Sequence, residues 1–160
     1  MRTMAFLPDV LEPIVLSRTE GHWLFYRKPT SDWSVYFHNV KISGKYGPVA
    51  LPLEVAELDG AGGIKRSARL DVGDVFVYGI LQAADGRVTL ATVAGSKQKP
   101  ELKLYLSEKP GSEFRLRRTV GLGQIPFRIS MASDKQGTLM ALGFLGAGGG
   151  FRVEALYEAL

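Results

Sequence analysis

The chain has 160 residues, of which 46% are hydrophobic, 10% aromatic and 22% charged, with a formal net charge of +4. That composition fits one soluble globular domain and excludes a disordered or low-complexity chain. The absence of cysteine excludes a disulfide-stapled mini-domain, a thiol nucleophile and any metal site that needs thiolate.

At the N-terminus, Pro8, Asp9, Glu12 and Pro13 interrupt the apolar run before a signal-peptide core can form. His22–Arg27 and Trp33–Ile42 are rich in aromatic and β-branched residues and read as a hairpin joined through residues 28–32. Val49–Leu58 adds a short strand, residues 59–63 form a loop, and Ile64–Leu70 reads equally as a strand or a single helical turn. Three hairpins follow. Val75–Gln82 and Arg87–Ala94 flank a turn containing Asp85 and Gly86, a pair that supplies the positive φ of a tight hairpin. Glu101–Ser107 and Glu113–Val120 flank Pro110 and Gly111, and Ile125–Ala132 and Thr138–Leu145 flank a loop closed by Gly137. After a Gly-rich hinge, Phe151–Leu160 has apolar residues at helical spacing and is expected to be a C-terminal helix. Eight or nine strands in a single domain over residues 1–160 imply an all-β fold, an antiparallel barrel or sandwich. The longest apolar stretch, Thr138–Phe151, is too short and too glycine-rich to span a bilayer, so the expected location is the cytoplasm or a virion.

Leu70–Val93 resembles the central strands of OB-fold barrels in Gly73, Asp74, Gly79, Asp85 and Gly86, a turn entering an alternating strand with an internal glycine. The resemblance implies an OB-like barrel.

Charge is concentrated in one region. Lys97 to Arg128 holds eight basic residues against three acidic ones, an excess of five positive charges. Such a concentration is the electrostatic footprint of a polyanion binder, or else a solvated basic face. Strand alternation puts Lys103, Tyr105, Arg115 and Arg117 on one polar face, and Arg128 joins them if its strand is a neighbour. Arg118 falls out of this alternation. The resulting stripe would neutralise phosphates while Tyr105 stacked on a base. In the aromatic segment, Tyr26, Tyr36 and His38 are expected to be half-exposed beside Arg27, Lys28 and Lys41, a second stacking platform. The competing explanation is that strands simply favour aromatics.

Other chemistries find no support. Gly146 and Gly148 lack the third glycine of a dinucleotide fingerprint, because position 151 is Phe, and no Gly-Lys-Ser/Thr follows. The two histidines, His22 and His38, sit in no metal or nucleophile motif. No catalytic residue, metal or cofactor is therefore expected. The leading expectation is a non-enzymatic β-barrel module that binds nucleic acid, preferably single-stranded, through Tyr26, Tyr36, His38, Lys103, Tyr105, Arg115, Arg117 and Arg128. The alternative is a viral or other structural subunit that forms a homo-oligomer through Phe151, Val153, Leu156, Tyr157 and Leu160. A small-ligand or glycan-binding barrel is a third possibility, and no membrane partner is expected.

Overall fold

The computed structural model describes residues 10–18, 21–29, 48–146 and 148–159. These contain eleven strands in three antiparallel sheets, and no helix. The chain divides into two compact units, the first ending at Val75 and the second beginning at Phe76.

The first unit is a four-stranded sheet in the order β1-β2-β3-β4, with β1 Leu11–Arg18, β2 Gly21–Arg27, β3 Leu51–Leu58 and β4 Ile64–Val75. Phe25, Leu53 and Val75 are fully buried in it. The ambiguous segment at Ile64 is thus an extended strand. The Asp59 carboxylate accepts the N–H groups of Ala61 and Gly63, both at 2.8 Å, and Gly62 takes φ +86°, so the chain reverses into β4 with its turn donors satisfied. β1 has no counterpart in the sequence reading. Trp33–Ile42, expected to pair with the aromatic strand, lies outside the described residues, and β2 pairs with β1 and β3.

The second unit has two sheets. One is β5-β6-β7-β8, with β5 Val77–Gln82, β6 Val88–Gly95, β7 Pro100–Ser107 and β8 Arg115–Gly121. The other is β11-β10-β9, with β9 Arg128–Ser133, β10 Gly137–Leu145 and β11 Phe151–Ala159. The expected hairpins are present. Gly86 at φ +94° closes the first, and Asp85 accepts the Arg87 N–H at 3.1 Å. β6 is the most deeply buried strand, with Val88, Leu90, Ala91, Thr92 and Val93 all inaccessible. Met140, Leu142 and Phe144 of β10 are buried in the same unit. β5 and β9 approach closely, so a Cβ on Gly79 would lie 3.1 Å from the Ile129 side chain. Arg118 of β8 and Glu158 of β11 pair at 2.7 Å.

The C-terminal segment is a strand, not a helix. Its residues also alternate with period two, Phe151, Val153, Ala155 and Tyr157 against Arg152, Glu154 and Glu158, and only Leu156 breaks the pattern. Two glycines with positive φ, Gly148 and Gly149, turn the chain tightly enough to lay this segment along β10. The ladder then satisfies backbone groups that a short isolated helix of ten residues would leave marginal. The expected hinge is thus a hairpin turn.

Candidate functional site

The outer surface of the β9–β11 sheet is the most unusual feature of the second unit. In β10 the inward residues Met140, Leu142 and Phe144 alternate with Leu139, Ala141, Gly143 and Leu145, and both sets are non-polar. Directly opposed residues share a face, and the register sets Leu139 against Tyr157, Ala141 against Ala155, Gly143 against Val153 and Leu145 against Phe151. Phe127, just before β9, lies over Gly143 and meets Phe151 edge to face at 5.9 Å between ring centroids. Phe127, Leu139, Leu145, Phe151, Val153 and Tyr157 are all about half exposed or more, from 49% at Leu139 to 75% at Phe151. Single exposed apolar residues are ordinary, whereas a contiguous group on one sheet face marks an interaction surface.

The inner side of β11 is different. Arg152 places its guanidinium 4.7 Å from the ring centroid of Phe144, Glu154 lies 3.5 Å from Arg152, and Glu158 is held by Arg118. Leu156, expected among the oligomer contacts, is opposite Met140 on this inner side, so it does not share the outer face with Phe151, Val153 and Tyr157. Leu160 lies outside the described residues.

The expected basic stripe is not assembled as one surface. β9 belongs to a different sheet from β7 and β8, so Arg128 is separated from Lys103, Arg115 and Arg117 and stands beside Gly143 on the apolar sheet. β8 also carries a bulge. Leu104 opposes Arg118 while Tyr105 opposes Leu116, so Arg117 is the extra residue and alternation reverses across it. This is the physical origin of the misfit at Arg118. Lys103 lies 3.9 Å from Glu101, and Arg115 lies 3.8 Å from Glu113. Arg115, Arg117 and Arg118 are exposed along this edge strand.

Neither described aromatic of the stacking platforms is open. Tyr26 is 3% exposed and Tyr105 is 8% exposed, because both pack into the interior, so no ring face is available to a base. Burial, reinforced by the negative Glu54, pushes the Tyr26 hydroxyl above its ordinary pKa and keeps it neutral. Arg27, expected beside the platform as a surface cation, is buried as well. It donates to Glu12 at 2.5 and 2.7 Å and to the carbonyls of Val49 and Val75 at 2.7 and 2.9 Å. Tyr36, His38 and Lys41 lie outside the described residues.

An open groove of about 390 Å³ runs between the Ala83–Arg87 turn and the Ser133–Thr138 turn. Arg87 beside it is paired with Asp85 at 2.7 Å. Among the described residues, no three His, Asp or Glu side chains are grouped to hold a metal ion, and no helix is long and apolar enough to cross a membrane. No family model, curated protein or solved structure matches this chain.

The sequence reading missed Phe127, Leu139 and Leu145 as surface residues. The available signal was β10 itself, whose two faces are both apolar, a pattern that calls for cover on both sides of a strand.

Proposed function

We propose that the protein is a non-enzymatic structural subunit that assembles from copies of itself through the β9–β11 sheet. The observation that carries this reading is the contiguous exposed group of Phe127, Leu139, Leu145, Phe151, Val153 and Tyr157 on one sheet face. Burying such a face releases roughly 25 cal/mol per Å² of apolar surface, enough to drive association once several large side chains are covered together. The body that presents it is read as a β-sandwich formed by the two sheets of the second unit. Light scattering on the purified chain is expected to give a mass above that of the monomer. The double variant Phe151→Ser, Val153→Thr should stay folded and shift toward monomer. A monomer at all concentrations for the unmodified chain would refute the reading.

A second reading, binding to single-stranded nucleic acid, is favoured by Arg115, Arg117 and Arg118, all exposed on β8. Binding there would rest on phosphate neutralisation alone, since Tyr26 and Tyr105 are buried. Fluorescence anisotropy with labelled oligonucleotides tests it. Salt-sensitive binding, weakened by Arg115→Ala, Arg117→Ala with a shallower salt slope, would support it, and an unchanged slope would remove β8 from the mechanism.

A further inference from the structure

Exposed edge strands invite pairing with another chain, and three edge strands of this fold, β1, β4 and β8, are blunted against it. β1 carries Pro13 within a bulge between Leu11 and Ile14. β4 carries Lys65, Arg66 and Arg69, with its register broken opposite Leu53. β8 carries three arginines and a bulge. β11 differs in that its charged residues, Arg152, Glu154 and Glu158, are of both signs, so they can pair across an antiparallel contact instead of repelling a second chain. Its nine residues pair with β10 in one uninterrupted register, they include no proline or lysine, and among the described residues β11 has no strand on its other side.

The hydrogen-bonding groups of this open edge can be assigned. The Gly146 N–H donates to the Gly150 carbonyl at 2.7 Å. Antiparallel pairs alternate between hydrogen-bonded and non-hydrogen-bonded. The β10–β11 register therefore directs the backbone of Arg152, Glu154, Leu156 and Glu158 to β10. It turns the N–H and C=O groups of Phe151, Val153, Ala155 and Tyr157 outward.

We propose that two copies of the chain meet at this edge, β11 pairing antiparallel with β11 of the second copy about a two-fold axis at Ala155. The proposal rests on the self-association reading above and specifies its first contact. Centred there, all nine residues overlap, and Arg152 stands opposite Glu158 of the second copy on both sides of the axis. Phe151 meets Ala159 and Val153 meets Tyr157, each a large residue against a smaller one. Moving the centre to Glu154 or Leu156 sets Glu154 against another glutamate, which opposes pairing. Moving it to Val153 or Tyr157 leaves only five residues in register. The Ala155 register alone combines full overlap, opposite charges and the outward set of backbone donors. It also joins the two apolar outer faces into one wider surface on which further copies can add.

The full chain with Ala155→Cys tests this directly, because the protein has no other cysteine. A hydrogen-bonded antiparallel pair sets its Cα atoms about 5.5 Å apart, within disulfide reach. Mild diamide oxidation is expected to convert most of the Ala155→Cys chain to a covalent dimer, while Ala132→Cys on β9 stays uncross-linked. Adding Arg152→Glu to Ala155→Cys sets like charges across the axis and should slow cross-linking about tenfold. Oligomers by light scattering without an Ala155→Cys cross-link, or cross-linking indifferent to Arg152→Glu, would overturn this register and leave the self-association reading standing. A monomer by light scattering, with neither cysteine cross-linking, would overturn both.

Discussion

The ring of Phe127 lies across Gly143, 3.0 Å from where a Cβ on that glycine would sit. The contact fixes the ring on the outer face of the β9–β11 sheet, where it meets Phe151. Gly143→Ala is expected to push the ring outward and break that edge-to-face contact. Because Phe127 is half exposed and free to give way, the cost in stability should be only about 1 kcal/mol. Near-UV circular dichroism should change while the chemical denaturation midpoint moves little.

Gly137 is a contrasting case. A Cβ there would fall inside contact distance of the Glu158 backbone carbonyl, which cannot swing aside, and 2.7 Å from the Tyr157 hydroxyl. Gly137→Ala should cost about 1–3 kcal/mol and loosen the end of β11 from β10. Urea denaturation measures the first effect and faster exchange of the Glu158 amide reports the second.

In the first unit, Glu12 adopts φ +52° within the β1 bulge, and its carboxylate takes two hydrogen bonds from the buried Arg27. Glu12→Ala removes both charge-assisted bonds. Since Glu12 is half exposed and partly screened, the expected cost is about 1.5 kcal/mol, the low end for bonds to a charged group. Equilibrium denaturation in urea checks it.

Two turn carboxylates contribute to the acid limb of stability. Backbone N–H groups of Gly63 and Ala61 hold the Asp59 carboxyl below its usual pKa, and the Arg87 backbone and guanidinium do the same for Asp85. A depressed folded pKa contributes stability that is fully present above the unfolded value, about 3.9, and lost as pH falls through the folded one. Asp59→Asn keeps the acceptor oxygen and should flatten this limb. Tyr26 acts at the opposite end, because its raised pKa gives stability that is complete below about 10 and lost as pH rises through the folded value. Tyr26→Phe should therefore flatten the alkaline limb, as thermal melts across pH would report.

The sequence carried the β class and three hairpins because Asp85, Gly86, Pro110, Gly111 and Gly137 constrain local backbone geometry strongly. It did not carry the fate of residues 151–159, where helical and alternating patterns coexist and the choice belongs to the open edge of β10. Nor did it reveal the separation of Arg128 from Arg115 and Arg117, which depends on which strands become neighbours. The bulge at Arg117 then reversed the side-chain alternation on which the stripe rested. Aromatic residues were a further trap. Tyr26 and Tyr105 have the same local pattern whether they face water or the core, and burial is decided by partners distant in the chain.

Amide hydrogen exchange on the full chain tests assembly by pairing along the β11 edge most directly. The backbone N–H groups of Phe151, Val153, Ala155 and Tyr157 have no acceptor in β10, given the alternation of the β10–β11 ladder. Slow exchange at these four positions, comparable to that of Arg152 and Glu154, is the result expected if a second copy pairs along β11. Exchange as fast as at Gly148 in the adjoining turn, at every protein concentration, would contradict it.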